Sequence, residues 1–351
     1  MPRRLTNLLL LVLAVGLAGS GLAGWVAPDR AAPFWYEIHR LLGVGLVLTL
    51  FWKVPIVRGS LARRLARPRL RRSTVPGLLT GLCAQTALTL GLGWTAGLLQ
   101  LESFGGYSPL NVHVEVGLLL LPLLGWHLSR RWERRPSMAA LLARRRTLTH
   151  LGALTLGTLA GWRVVDAAVA EMQARGERRA SASRHIGSFT GNAFTEEIWQ
   201  LDGVPTIEAE AWRLEVVDRQ GVGTTLTLAA LDGLPRATFD ALLDCTGGWW
   251  TEQRWTGWRV DDVLRLAGLD EGAVRDGLAE VVSVTGHRWT FPLPEFRAML
   301  LATHVGGEQL SPGHGAPVRL VAPERRGFQW VKWVERIELL PLLADVAQSA
   351  A

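Results

Sequence analysis

The apolar and polar positions divide this chain into two halves of different character. In the first half, short polar connections separate five long apolar stretches, at residues 5–27, 34–57, 75–100, 110–130 and 147–170. A helix of about 20 apolar residues crosses the hydrocarbon core of a bilayer. The pattern therefore predicts an N-terminal all-α bundle of five transmembrane spans over residues 1–170.

The second half has the shorter periods of a mixed domain. Runs rich in β-branched residues predict strands at 212–217, 224–228, 281–284 and 318–321, and helical periodicity predicts helices at 259–268 and 294–303. Residues 171–184 are polar and rich in alanine and serine, which predicts a linker. Residues 185–351 are then an α+β domain long enough to bury a core and a cofactor.

Charge follows the same division. Residues 1–170 hold 20 Lys/Arg and 6 Asp/Glu, a net charge of +14, whereas residues 171–351 hold 18 and 25, a net charge of −7. The connections 58–74 and 129–147 each hold seven arginines, with no acid and one glutamate respectively. The positive-inside rule puts these connections and the N-terminus in the cytoplasm, and five spans put the second domain outside. Because the arginines lie between apolar stretches, we exclude nucleic-acid binding.

The first apolar stretch has an alternative interpretation as a cleaved signal peptide, because Pro2-Arg3-Arg4 precedes its apolar core. It lacks a clean small-x-small cleavage site at its end, so we expect it to remain. Its removal would leave the other four spans in the same orientation. Either way we expect a multi-pass cell-membrane protein with the bilayer as a partner.

Four histidines lie near the ends of the predicted spans. His39 and His113 are near the outer ends of the second and fourth spans, and His127 and His150 are near inner ends of the fourth and fifth. Histidine is a common haem ligand, and ionisable residues within spans are functional candidates. The pattern predicts one or two haem b groups, an outer one between His39 and His113 and an inner one between His127 and His150. As an alternative, His127 and His150 stand near arginines and are interfacial residues.

Cys245 lies in the run Leu243-Asp244-Cys245-Thr246-Gly247-Gly248-Trp249-Trp250. The other cysteine, Cys83, is in the third predicted span, so the two cannot form a disulfide, and an exported thiol is either reactive or in use. A soft thiolate suits a redox-active transition metal, and arginine with lysine suits a phosphate-bearing cofactor. Cys245 is therefore a candidate metal ligand.

Further motifs follow Cys245 in a fixed order. They are Trp255-Thr256-Gly257-Trp258-Arg259-Val260, His314-Gly315-Ala316-Pro317-Val318-Arg319 and Val331-Lys332-Trp333. Together these blocks resemble the molybdopterin-binding domain of the sulfite oxidase superfamily, including its methionine-sulfoxide-reductase branch, over about residues 184–341. The resemblance implies that Cys245 binds molybdenum. It also implies that the pterin or its phosphate contacts Thr285, His314, Arg319, Trp330, Val331 and Lys332.

The residues that follow Cys245 bear on the substrate. Sulfite-oxidising members of the family place arginines soon after the cysteine, whereas residues 246–250 are Thr-Gly-Gly-Trp-Trp. The tryptophans favour a neutral S-oxide or N-oxide, with Arg254, His287 and Arg288 as candidate catalytic polar groups near the metal. The segments around His39 and His113 also resemble the di-haem cytochrome b bundles of bacterial membrane reductases.

The sequence therefore predicts a membrane-anchored molybdenum-cofactor oxidoreductase. Its outer domain reduces a small oxidised substrate by two-electron oxygen-atom transfer, and its haem-bearing bundle exchanges electrons with the quinone pool. Two alternatives stay open: a dehydrogenase that runs in the reverse direction, and a membrane-bound binding module without a cofactor.

Overall fold

A computed structural model describes residues 1–27, 31–66, 74–99, 108–131, 145–198, 203–269 and 276–341. Residues 67–73 and 132–144, within the two arginine-rich connections that predict the orientation, lie outside these ranges. The chain forms two compact units. One comprises Met1–Arg184 with Thr246–Gly248, and the other comprises His185–Cys245 with Trp249–Ala351.

The first unit is a helix bundle in which each predicted apolar stretch is one helix. The helices are α1 (Arg3–Val26), α2 (Ala32–Leu65), α3 (Val75–Thr95), α4 (Pro109–Arg131) and α5 (Arg145–Ala174). All five are long and apolar enough to cross a membrane. Helix α2 runs 34 residues because its helical hydrogen bonding continues past the apolar stretch into a basic last turn with Arg63 and Arg64.

Helix pairs α1 and α2, α3 and α4, and α2 and α5 pack against each other. Small residues permit the close approach of the helix axes. A Cβ on Gly161 of α5, for example, would lie 2.9 Å from Val44 of α2. The bundle is therefore held by close backbone contact as well as by side-chain packing.

The predicted linker is ordered. Helix α5 continues through Glu171–Ala174, and the remaining residues to Arg184 belong to the first unit. An isolated antiparallel bridge joins Arg178 to Arg184, and the indole Nε1 of Trp94 donates to the Ala182 carbonyl at 3.1 Å. Composition predicted a linker here, and it does not show these few contacts with α3.

The second unit contains two sheets. The six-stranded sheet has the order β1-β5-β8-β10, with β4 paired to β5 and β9 to β8. The five-stranded sheet has the order β3-β2-β11-β6-β7, and only its β2–β11 pair is parallel among the pairs described. The strands are β1 (Arg184–His185), β2 (Arg213–Val217), β3 (Gly223–Thr227), β4 (Arg236–Asp244), β5 (Trp249–Arg259), β6 (Leu278–Ser283), β7 (Arg288–Pro292), β8 (Leu300–Val305), β9 (Glu308–Gln309), β10 (Arg319–Val321) and β11 (Val334–Leu340).

Short helices α6 (Leu228–Leu231), α7 (Val260–Leu266) and α8 (Leu293–Arg297) connect the strands. The four predicted strands and the helix at 259–268 are present. The predicted helix 294–303 is wrong beyond Arg297, because Leu300–Val305 form β8 between β5 and β10. A continuous apolar run fits a buried strand as well as a helix, so the sheet partners decide.

A register shift in β5 moves tryptophans into the core. The pairing with β8 shifts between Thr256 and Gly257, and a Cβ on Gly257 would lie 1.9 Å from the Leu301 carbonyl oxygen. Trp255 and Trp258, three residues apart, are therefore both 0% exposed. These two side chains are therefore part of the core.

Candidate cofactor sites

Cys245 begins the tight connection between β4 and β5. Its backbone N–H donates to the Trp249 carbonyl at 2.8 Å, and the residue is 7% exposed. Gly248 has a φ of +87°, a left-handed conformation that glycine adopts without strain. The thiol is thus held at the end of a long, regular strand pair, as a metal ligand requires.

A buried ion pair fixes the backbone next to Cys245. Asp244 Oδ2 lies 2.5 Å from Arg326 Nη1, and each side chain is 2% exposed. Arg326 opens a 3-10 turn, Gly327–Gln329, in which a Cβ on Gly327 would lie 2.8 Å from Cys245 Cα. Sequence reasoning missed this turn because no local pattern connects two segments so far apart in the chain.

The contact at Gly327 makes a test. Gly327→Ala forces the turn and the Cys245 backbone apart, and overpacking of this kind costs about 1–3 kcal/mol. We expect a lower unfolding midpoint and reduced metal content, measured by thermal melting and elemental analysis. Gly233→Ala is the control, because its Cβ would meet only the Ala230 carbonyl at an ordinary 3.5 Å. Equal unfolding midpoints and equal metal contents in the two variants would show that the contact between Gly327 and Cys245 does not matter.

Arg319 on β10 is a fully buried cation in electrostatic contact with Cys245. Its Nη1 donates to the His314 carbonyl at 3.0 Å, and the guanidinium lies over the rings of Trp255 and Trp330, at 4.9 and 5.8 Å. Its Nε is buried without a hydrogen-bond partner among the described residues. Burial lowers the pKa of Arg319 to about 9, and Cys245 opposes this shift.

Lys332 is a second buried cation beside the same thiol. Its Nζ donates to the carbonyls of Glu197 and Gly313, at 2.8 and 2.5 Å. Burial, followed by the charge of Arg319, lowers the pKa of Lys332 to about 8, and Cys245 opposes this shift. Two buried cations that interact with one thiol make its surroundings strongly electropositive.

His314 points an unused nitrogen into the protein. It is 1% exposed, and burial, Arg319 and Lys332 lower its pKa to about 3, so the ring is neutral. Ser311 Oγ donates to Glu196 at 2.9 Å and lies 2.7 Å from His314 Nδ1, so it accepts the Nδ1–H. The other nitrogen, Nε2, is then a buried acceptor with no partner among the described residues.

These residues fit a phosphate-bearing metal cofactor. Buried cations and an unpartnered acceptor are costly unless an anion and a donor meet them. Cys245, as thiolate, supplies a soft metal ligand, and a planar guanidinium and an ammonium suit a phosphate. Trp330 and Val331, 2% and 0% exposed, continue the wall beside Lys332.

Four further residues were predicted to belong to the site. Thr285 and His287 are in the β6–β7 turn, where Thr285 Oγ1 is 3.2 Å from Ser283 Oγ and His287 Nε2 donates to the Phe328 carbonyl at 2.7 Å. Arg288, 61% exposed, pairs with Glu280 on the next strand at 3.6 Å. The roles of these three residues stay predictions.

Arg254, the fourth of these predicted site residues, lies on β5. It forms a two-bond ion pair with Asp240 across β4 and β5, at 2.8 and 2.9 Å, and is 59% exposed. It stands four residues along β5 from Trp250, about 13 Å at the rise of a strand. Side chains alternate between the two faces of the strand pair, and those of Arg254 and Asp240 are on an exposed face.

In the bundle, His39 and His113 come together. Their ring centroids are 6.0 Å apart. The Nδ1 of His39 lies 3.0 Å from the Leu17 carbonyl oxygen, and that of His113 lies 2.8 Å from the Ala87 carbonyl oxygen. A carbonyl only accepts, so each Nδ1 carries the hydrogen and each Nε2 keeps its lone pair. That tautomer is the metal-ligating form.

Glycines make room for these rings. A Cβ on Gly21 would lie 3.2 Å from His39 Cε1, one on Gly91 would lie 2.9 Å from His113 Cε1, and one on Gly77 would lie 3.1 Å from His127 Cε1. His150 lies against Trp52, with ring centroids 6.0 Å apart. The inner pair His127 and His150 stays a prediction.

Comparison with known proteins identifies the second unit. Residues 201–343 match the family described as "Oxidoreductase molybdopterin binding domain". The chain is 30% identical to mitochondrial sulfite oxidase of Homo sapiens over 169 residues, 39% of this chain and 31% of that protein. It is 47% identical to an NADPH nitrate reductase of Mycosarcoma maydis over 55 residues, 16% and 6%.

A third relative is the uncharacterized oxidoreductase YuiH of Bacillus subtilis (strain 168), 30% identical over 130 residues, 36% of this chain and 64% of the relative. The chain spans about a third of the length of the sulfite oxidase that it matches. The matched region contains Cys245, His314, Arg319 and Lys332. Residues 201–343 therefore match a molybdopterin-binding oxidoreductase domain, and the relatives of this region include sulfite oxidase.

Proposed function

We propose that this chain is a membrane-anchored oxidoreductase that reduces an S-oxide or N-oxide outside the cytoplasm, with electrons from the quinone pool passed through haem b in the bundle. One observation carries the catalytic half. The buried thiol of Cys245 faces two buried cations, Arg319 and Lys332, beside the unpartnered His314 Nε2.

Each of these side chains has a role toward the cofactor. A bound molybdenum cofactor supplies two-electron oxygen-atom transfer. Cys245 ligates the metal, Arg319 binds phosphate through a planar fork, and Lys332 binds it as a point charge. His314 accepts a hydrogen bond from the pterin, and Trp330 and Val331 exclude water from that edge. Thr285 contacts the pterin from the β6–β7 turn.

The residues that follow the thiol in the chain support a neutral substrate, and so the reducing direction. Reduction of a sulfoxide consumes two electrons and two protons and gives a thioether and water. Sulfite is a dianion, yet residues 246–250 contain no arginine, and Arg254 and Arg288 are paired with Asp240 and Glu280. Half-exposed Trp250, stacked on His185 with ring centroids 4.2 Å apart, suits a neutral substrate.

Two alternatives to this proposal are the oxidising direction and a binding module without a cofactor. The oxidising direction is supported by relatives that carry the name sulfite oxidase. A binding module without cofactor would retain Arg319 buried without its anion, at a cost that argues against it.

The bundle supports membrane anchoring. Large apolar side chains on its helices are exposed, including Phe51 at 75%, Leu82 at 66% and Leu156 at 71%. Such a surface belongs in lipid. With the arginine-rich connections inside, the N-terminus is cytoplasmic and the molybdopterin-binding domain is outside.

The same bundle supplies the haem sites. The proposed outer haem b lies between His39 and His113, whose tautomers leave both Nε2 atoms for iron, and the inner one lies between His127 and His150. Haems held by these two histidine pairs would carry electrons one at a time between the two faces of the membrane.

The test is the cofactor content of the full-length protein in detergent. We expect about one molybdenum per chain by the single-site argument and a haem b signal in the reduced-minus-oxidised spectrum. His39→Leu should abolish the outer haem signal, whereas His304→Leu, on β8 and bonded to Thr303 at 2.7 Å, should keep it.

A substrate screen sets the direction. Turnover of an S-oxide or N-oxide with a reduced quinone analogue supports the proposal, and turnover of sulfite with an oxidised one supports the reverse reaction. Haem without molybdenum would overturn the catalytic half, and molybdenum without haem would overturn the electron route.

A further inference from the structure

Arg178, just beyond α5, is a buried arginine with a spare donor. It is 5% exposed, its Nη1 donates to the Ala182 carbonyl at 2.9 Å, and its guanidinium lies over Trp94 at 5.2 Å. Its Nη2 is buried beside Gly97 and has no hydrogen-bond partner among the described residues. Burial, followed by the charge of Arg184, lowers its pKa to about 10, and Glu177 opposes this shift. A buried cation with a free N–H favours a bound anion.

Arg178 stands close to the His39–His113 pair. Trp94, which it covers, is three residues beyond Gly91 on α3, and Gly91 contacts the His113 ring. Residues three apart share a helix face, about 4.5 Å apart along the axis. Trp94 is therefore about one helical turn from Gly91, toward the C-terminal end of α3, and the Arg178 guanidinium lies over the Trp94 ring.

The neighbouring arginine near His39 is already compensated. Arg40 lies 3.8 Å from Asp166, and its Nη1 donates to the Ala180 carbonyl at 3.4 Å. The segment that carries Arg178 thus closes over the end of the bundle where both histidines lie. Of the two arginines, Arg178 has the unmatched charge.

We propose that Arg178 binds a propionate carboxylate of the haem held by His39 and His113. This assignment rests on the proposed haem. The free Nη2 is a charge-assisted donor for an oxyanion, and a haem edge presents two carboxylates there. A phospholipid headgroup offers the same oxyanion chemistry, and the experiment separates the two.

The experiment compares haemin with haemin dimethyl ester, whose propionates are uncharged. Full-length protein expressed without a haem supply is titrated with each form and followed by its absorption spectrum. We expect Arg178→Gln to weaken haemin binding by about tenfold or more, the scale of a lost charge-assisted hydrogen bond, and to leave ester binding unchanged. Arg178→Lys should restore part of the loss.

Arg175→Gln is the matched control, because Arg175 is 61% exposed and paired with Glu171 at 2.8 Å. A folding defect weakens both haem forms equally, so an equal loss for both, or no loss, overturns the assignment. Loss of co-purifying phospholipid from Arg178→Gln, with an unchanged haemin-to-ester ratio, overturns it in favour of a headgroup. Wild-type protein that binds neither form would overturn the proposed haem as well.

Discussion

Cys245→Ser is expected to lower oxygen-atom transfer by at least about 10²–10³-fold, the scale for one group that acts at the reacting centre. A serine hydroxyl is a hard, protonated donor, whereas a soft thiolate holds a redox-active metal. The fold should survive, because the side chains are similar in size and the N–H of residue 245 keeps its bond to the Trp249 carbonyl. Turnover, molybdenum per chain and circular dichroism on the same sample separate chemistry from folding.

The control for this variant is Cys83→Ser. The Cys83 thiol on α3 donates to the Val116 carbonyl at 3.1 Å, and a serine hydroxyl keeps that bond. We expect full activity and full metal content. Equal losses in both variants would show that the effect is on folding, and retained activity in Cys245→Ser would remove the thiolate from the mechanism.

Asp244→Ala is expected to destabilise the second unit by about 3–5 kcal/mol, because it leaves Arg326 charged and buried without its carboxylate. Both side chains of the pair are 2% exposed. For a domain of this size, the loss lowers the melting temperature by about 10 °C. Metal content should fall with it, since the pair holds the backbone on either side of Cys245. Thermal melting of the purified protein, followed by tryptophan fluorescence, measures the shift.

The same strand supplies the comparison. Asp240 forms an exposed ion pair with Arg254, with side chains 42% and 59% exposed, so Asp240→Ala should leave the melting temperature nearly unchanged. The double variant Asp244→Leu with Arg326→Met removes both buried charges together and should recover most of the lost stability. A double variant no more stable than Asp244→Ala would show that the lost stability comes from side-chain packing and not from an unpaired buried charge.

The sequence was sufficient for features that depend on local periodicity or on motif order. Each apolar stretch is one helix that is long and apolar enough to cross a membrane, as its length and composition predict. The order of Cys245, the HGAPVR block and Lys332 was enough to assign the family. A thiol followed by a histidine and two cations in this order is uncommon, so the order and spacing of these residues are enough to indicate the family.

Other site features depend on residues that are far apart in the chain. No pattern in the sequence pairs Asp244 with Arg326, places Gly327 against Cys245, or joins Ser311 to Glu196 and His314. These contacts form only when strands from different regions of the chain meet in the fold. Several types of side chain would fit each of these positions locally, so the local sequence does not identify the partner.

For Arg254 and for the segment before Arg184, the sequence also did not show the contacts that these residues make with distant parts of the chain. The sequence put Arg254 among the candidate catalytic groups near the metal, and only the structure shows that it pairs with Asp240 across β4 and β5. Composition made residues 171–184 a linker, whereas Trp94 and Arg178 fold them onto the bundle. The sequence by itself determined two units, five apolar helices and a thiol with two cations. Only the tertiary structure decided which charges are buried and which are paired, because burial and pairing are properties of neighbours in space.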